Sequence, residues 1–134
     1  MTQIDEANLQ ETARSAVAVD GVESAAVFVL RRGSPDLELA GAAGIEGPPL
    51  AGLIAAVRNP EHPIKRSLAD DGPTFNVQPM APGGPALRSH LPLIALRDGR
   101  QVAVGVLAVA HQESLTADAK RKLSGLATAA AGSI

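Results

Sequence analysis

The feature that most constrains the fold is a strong hairpin signal in the second half of the chain. Asp98 and Gly99 separate two apolar segments, and this dipeptide favours the two-residue turn that joins antiparallel strands. The strands are expected at residues 88–96 and 101–110. The second strand (QVAVGVLAVA) is apolar on both faces, which predicts a central strand that is covered on both sides. Gly105 within it indicates a bulge or a second backbone close by.

A second hairpin is predicted in the first half of the chain. Residues 24–30 are β-branched and aromatic at their centre, and residues 37–43 form the returning strand. Strict alternation along that strand predicts that Leu37, Leu39 and Gly41 lie on one face.

Both ends of the chain are predicted to be helical, at about residues 3–19 and about residues 117–132. Thr2 and Asp5 resemble a capping pair for the first helix, and Thr116 is expected to cap the last one. In both segments apolar residues recur at steps of three and four, which gives each helix one apolar face. Alanines on these faces would let helix axes approach closely: Ala13, Ala16, Ala119, Ala127 and Ala130.

The middle of the chain predicts two short helices, one short strand and one irregular loop. A helix begins at Pro48-Pro49, a second runs over residues 63–70, and a strand covers residues 74–77. Residues 79–85 hold three prolines and two glycines, so they are expected to form a surface loop. The order of the elements predicts an α+β fold with a largely antiparallel sheet.

Length and composition exclude several classes of protein. A chain of 134 residues predicts a single domain over residues 1–134, and the absence of cysteine excludes disulfides, thiolate metal sites and cysteine nucleophiles. The net charge of -2 argues against a nucleic-acid partner, which usually meets a basic face. No apolar run approaches the ~20 residues that cross a bilayer, and no signal-peptide pattern opens the chain. We therefore expect a cytoplasmic protein without a nucleic-acid or membrane partner.

The second half of the chain carries an ordered set of short motifs. They are Pro92-Leu93, Asp98-Gly99, Gly105-Val106-Leu107, Leu115-Thr116 and the segment from Leu123 to Ala127. This set resembles the C-terminal half of a GAF domain. The first hairpin and the helix and strand before the loop are similar to the rest of that family's pattern, so the resemblance covers about residues 5–134.

The resemblance implies a GAF-like, PAS-related fold with a central antiparallel sheet of five to six strands. It places the terminal helices together on one face and a ligand pocket on the other, closed by the middle helices and the variable loop. It also implies sensing or regulation more often than chemistry, and pairing through the terminal helices. The methionine sulfoxide reductase kind needs catalytic cysteines, which are absent, and the Asn-Lys signature of the cyclic-nucleotide kind is not found.

The candidate ligand-binding residues lie close together in sequence around the proline-rich loop. They are Phe75, Asn76, Gln78, Met80, Arg88 and His90. Arg88 offers paired donors to a carboxylate or another anion, and Phe75 and Met80 would form apolar walls. The alternative is that Phe75 and Met80 belong to the core and that Arg88 is a surface residue of a strand.

No catalytic residue, metal site or cofactor is predicted. Ser89 and His90 are neighbours on a strand, so their side chains point to opposite faces and cannot pair as a catalytic dyad. The three histidines, His62, His90 and His111, are too far apart in sequence for a compact metal motif. A zinc site that joins all three and a haem site with one histidine ligand are the alternatives.

We therefore expect a small-molecule-binding regulatory domain that acts on a separate partner protein. A homodimer through the first and last helices is expected as well. The alternative is a dimerisation or interaction module without a physiological ligand, and a closed cavity filled with side chains would favour it.

Overall fold

The structure, a computed structural model, describes residues 5–30, 36–69, 72–78 and 87–134. The strands are β1 (Val22–Leu30), β2 (Leu37–Ala43), β3 (Thr74–Val77), β4 (Leu87–Arg97) and β5 (Arg100–His111). The helices are α1 (Glu6–Val17), α2 (Gly47–Ala56), α3 (Pro63–Arg66) and α4 (Ala117–Ala131), and a 3-10 turn follows α3 at Ser67–Ala69. The predicted order of elements is confirmed.

The five strands form one antiparallel sheet in the order β2-β1-β5-β4-β3. The turn between β4 and β5 has positive φ at both Asp98 and Gly99, as a two-residue hairpin turn of the predicted kind requires. The apolar strand β5 lies at the centre of the sheet. A Cβ atom at Gly105 would overlap the carbonyl oxygen of Phe28 on β1, which confirms the predicted close approach of a second backbone.

The prediction that Leu37, Leu39 and Gly41 share one face of β2 is wrong. Leu39 pairs with Phe28 and Gly41 pairs with Val27, so one extra residue of β2 lies between these pairs as a bulge. The bulge turns Gly41 towards α1, whose backbone leaves no space for a side chain there. Leu37 and Leu39 belong to the opposite face.

Each face of the sheet carries its own apolar cluster. The larger cluster packs under α1 and α4, and its bulkiest buried members are Leu9, Leu91, Leu93, Leu107 and Leu123. The smaller cluster packs under α2 and α3, and its bulkiest buried members are Phe28, Leu37, Val57, Ile64 and Val106. This arrangement confirms the predicted α+β architecture with the terminal helices together on one face.

The terminal helices begin at defined caps and are joined to each other. Asp5 caps α1, because its carboxylate accepts a hydrogen bond from the backbone N–H of Asn8 at 3.1 Å. Thr2, the other member of the expected capping pair, lies outside the described residues. Thr116 caps α4 as predicted. The backbone N–H of Asp5 donates to the carbonyl oxygen of Ser133 at 2.8 Å, which links the start of α1 to the end of α4.

The alanines of α1 and α4 face the sheet and not the surface. They are at most 5% exposed: Ala13, Ala16, Ala119, Ala127 and Ala130. Their small size therefore lets both helices lie close to the strands. Within the described ranges, no helix is both long enough and apolar enough to cross a membrane.

Candidate functional site

An open cleft of about 590 Å³ lies on the face of the sheet opposite α1 and α4. Helix α3, the 3-10 turn, β3 and β4 contribute its walls, which include Pro63, Arg66, Ser67, Thr74, Val77 and His90. None of the described residues that line the cleft is acidic. The wall formed by α3 is held in place by the Ser67 hydroxyl, which donates to the carbonyl oxygen of Ile64 at 2.6 Å.

Strand β4 presents Arg88 and His90 on the cleft side of the sheet. Alternation along the strand puts these two side chains on one face and the side chain of Ser89 on the other. The edge strand β3 pairs with β4 at the same two positions, Thr74 with His90 and Val77 with Arg88. The cleft is therefore bordered by two residue pairs of one short ladder.

His90 is buried, and one nitrogen of its imidazole ring lacks a hydrogen-bond partner among the described residues. The side chain is 3% exposed, and its buried Nε2 has no hydrogen-bond partner in the part of the chain that the structure describes. Burial lowers the pKa of His90 to about 4, and the charge of Arg88 and that of His62, when His62 is protonated, add to this effect. The ring is therefore neutral at pH 7 and can offer Nε2 as a donor or an acceptor, depending on the tautomer.

Arg88 carries a positive charge that no described carboxylate balances. Its guanidinium is half-buried, and this burial lowers the pKa of the group from its ordinary value. No ion pair to Arg88 is found among the described residues. A partly desolvated charge without a partner costs free energy, and a bound anion would offset that cost.

Helix α3 lies over the sheet so that His62, at its start, is close to Arg88 and His90. His62 caps that helix, and its Nδ1 accepts a hydrogen bond from the backbone N–H of Ile64 at 3.2 Å. Burial lowers the pKa of His62, and the charge of Arg88 lowers it further. The site thus combines one fixed guanidinium charge with two imidazoles that stay neutral near pH 7.

The other sequence-predicted residues do not meet in this cleft. Phe75 packs against the cluster under α1 and α4, and the Lys120 ammonium lies 5.3 Å from the centre of its ring. The side chain of Asn76 also reaches the α4 side of the sheet, Gln78 is exposed, and Met80 lies outside the described residues. An irregularity in the pairing between Thr74 and Val77 puts both intervening residues on the far side of β3.

A network of four hydrogen bonds lies on that far side of the sheet. The sequence analysis did not predict that Ser89 and His111 pair within it. The backbone N–H of Asn76 donates to Ser89 Oγ at 3.1 Å, and Ser89 Oγ lies 2.8 Å from His111 Nε2. His111 Nδ1 lies 2.7 Å from the carbonyl oxygen of Glu113, and Asn76 Oδ1 accepts from the backbone N–H of Leu115 at 3.0 Å.

The direction of the hydrogen bonds in this network follows from the carbonyl group of Glu113. The carbonyl oxygen of Glu113 only accepts, so the proton of His111 is on Nδ1 and the Ser89 hydroxyl donates to Nε2. Ser89 and His111 are fully buried, so a substrate does not reach the hydroxyl in this structure. The pair joins β4 to the end of β5.

Comparison with known proteins shows which fold the chain adopts. No protein-family model matches the sequence, and no curated protein matches it either. Solved structures do match. The second GAF domain of DevS from Mycobacterium smegmatis aligns with a TM-score of 0.67 and 23% identity, over 96% of this chain and 91% of that one. The chain has a GAF-like fold.

Two further structures show how varied the proteins with this GAF-like fold are. The GAF domain of an Acinetobacter phosphoenolpyruvate-protein phosphotransferase aligns with a TM-score of 0.70 and 12% identity, over 96% of this chain and 80% of that chain. A free methionine-R-sulfoxide reductase from Neisseria meningitidis aligns with a TM-score of 0.69 and 18% identity, over 96% and 76%. The fold is thus found in GAF domains and in a free methionine-R-sulfoxide reductase, and function has to be argued from the site.

Proposed function

We propose that this chain is a single regulatory GAF-like domain over residues 1–134 that binds a small anionic ligand and then acts on a separate partner protein. The observation that carries the proposal is Arg88, a half-buried guanidinium beside the cleft without a described carboxylate partner. Its planar donors match the two oxygens of a carboxylate or a phosphate group. No catalytic activity is part of this proposal.

The cleft fits a ligand that is larger than a bare inorganic ion. Its volume of about 590 Å³ falls within the range of roughly 300–1,000 Å³ that is typical of small-molecule sites. Pro63 and Val77 supply apolar wall surface, and His90 Nε2, which is buried in this structure, would supply one orienting polar contact to a ligand that reaches it. The proposed ligand therefore has an anionic group near Arg88 and a less polar body between α3 and β3.

Native mass spectrometry of the protein as purified tests this proposal. The wild type is expected to carry a discrete added mass that is lost on denaturation and is absent from Arg88→Met. Arg58→Met is the matched control, because Arg58 is an exposed arginine just beyond α2. An adduct that persists in Arg88→Met would contradict the proposed site. Preparations without any adduct would favour the interaction module without a ligand.

We also propose that the domain forms a homodimer in the cytoplasm through the outer surface of α1 and α4. The buried alanines of these helices give this proposal no support, since they belong to the core cluster and not to the outer surface. Its support is a shallow groove of about 420 Å³ between the helices, lined by Ala18, Val19, Gly125 and Leu126 among others. Light scattering should report a dimer that Ala18→Arg converts to a monomer. A 13.6 kDa particle at high concentration would contradict the proposal.

A further inference from the structure

Strand β3 borders both the cleft and the start of α4. Its two ends, Thr74 and Val77, line the cleft and pair with the two β4 residues of the proposed anion site. Its two middle residues, Phe75 and Asn76, contact the opposite side of the sheet. As an edge strand with this short, irregular ladder, β3 can shift relative to β4 more readily than the central strands can.

Two contacts of β3 on the far side reach the beginning of α4. Asn76 Oδ1 accepts from the backbone N–H of Leu115, the residue before the helix cap. The Lys120 ammonium, in the first turn of α4, lies over the ring of Phe75 at 5.3 Å. A displacement of β3 therefore changes a hydrogen bond and a cation–π contact at the same helix terminus.

Strand β4 makes a second connection between the two faces. Ser89 lies between Arg88 and His90, and its hydroxyl bonds to His111, whose other ring nitrogen bonds to the carbonyl oxygen of Glu113. The loop from β5 to α4 is thus connected by hydrogen bonds to both β3 and β4, the two strands that line the cleft.

We propose that β3 couples occupancy of the cleft to the position of the start of α4, with the side chain of Asn76 as the principal link. The coupling rests on the proposed function, since it requires an anion at Arg88 and His90. A ligand held by these two residues contacts the ends of β3. The strand adjusts to it, and the hydrogen bond from Leu115 changes in length and strength.

Asn76 allows a clean test of this link because its backbone conformation is already suited to glycine. Its φ is 61°, in the left-handed region that glycine adopts without strain. Asn76→Gly therefore keeps the backbone N–H that bonds to Ser89 and removes only the acceptor for Leu115. Asn76→Asp keeps an acceptor at the same place and serves as the conservative rescue.

The experiment is a titration with inorganic phosphate, followed by NMR at the His90 ring and by deuterium exchange at the Leu115 amide. In the wild type both signals should change with the same midpoint, and exchange at Leu115 should change by about fivefold or more. In Asn76→Gly the His90 ring should still respond while exchange at Leu115 no longer follows phosphate. Asn76→Asp should restore the response.

The outcomes separate this coupling from the proposed function. If phosphate moves the His90 ring but leaves Leu115 unchanged in the wild type, or changes Leu115 equally in Asn76→Gly, the coupling is overturned and the binding site stands. If phosphate does not move the His90 ring, phosphate binding at the proposed site fails. In that case the substitution Arg88→Met replaces phosphate as the perturbation of the cleft. Arg88→Met alone should shift the NMR signal of the Leu115 amide, whereas adding Arg88→Met to Asn76→Gly should not. If the Leu115 amide is unchanged by Arg88→Met in both backgrounds, the coupling is overturned.

Discussion

Replacement of Arg88 by methionine is expected to stabilise the protein while it removes the response to anions. Methionine has an apolar chain close in length to the stem of Arg88, and the substitution removes the half-buried charge. Replacing buried charges by apolar side chains is neutral to stabilising by about 1–4 kcal/mol, and Arg88 keeps contact with water, so we expect about 1 kcal/mol. For a chain of this length that corresponds to a rise in melting temperature of about 4 °C.

Thermal unfolding at low ionic strength, with and without inorganic phosphate, measures both effects. Phosphate at one hundred times its dissociation constant should stabilise the wild type by about 2.7 kcal/mol and should leave Arg88→Met unchanged. Arg58→Met, at an exposed position, should match the wild type in both conditions. The reasoning is refuted if Arg88→Met loses about 1 kcal/mol or more, because Arg88 would then have a stabilising partner.

Four further substitutions test the fold and the buried polar groups. Gly105→Ala should lower the free energy of unfolding in urea by about 3 kcal/mol because its methyl group meets the Phe28 carbonyl, whereas Gly52→Ala, in open space on α2, should raise it by about 0.5–1 kcal/mol. A loss in Gly52→Ala equal to that in Gly105→Ala would contradict the steric argument. Ser89→Ala should cost about 2 kcal/mol in the same assay, since it leaves a buried imidazole nitrogen unpaired, and an unchanged midpoint would contradict this. The pKa of His90 is about 4 in the folded protein, against 6.5 for the ordinary group, so between these values the unfolded state binds more protons and stability is lost as the pH falls. The wild type should therefore lose roughly 3 kcal/mol more than His90→Gln from pH 7 to pH 4, and parallel pH profiles would contradict the buried neutral ring.

The sheet could be predicted from the sequence because its hairpins depend on local signals. Asp98 and Gly99 adopt the turn that their residue types favour, and β5 is central because it is apolar on both faces. The bulge in β2 depends instead on the approach of α1 to Gly41, a tertiary contact that alternation along a single strand does not contain.

The pairing of Ser89 with His111 could not be predicted for a similar reason. A regular ladder counted from the turn at residues 98 and 99 pairs Ser89 with Ala108, which puts His111 on the opposite face. An irregularity between Leu93 and Ile94 shifts the register by one residue, so that Ser89 pairs with Val109 and shares a face with His111.

The candidate site was predicted in part. Arg88 and His90 lie two residues apart on a predicted strand, so their common face follows from the sequence. His62 comes to them only because α3 folds over the sheet, and its position before Pro63, the first residue of that helix, was the one local sign of a capping role. Phe75 and Asn76 were assigned to the site on proximity in sequence, and the irregular pairing of β3 turns them to the other face.

The most direct test of the anion site is crystallographic. Crystals soaked in selenate, a tetrahedral oxyanion, locate bound anions through the anomalous signal of selenium. The account predicts a peak in the cleft within hydrogen-bond distance of the Arg88 guanidinium and His90 Nε2, and its loss in Arg88→Met. Peaks confined to the outer helices, with none beside Arg88, would contradict it.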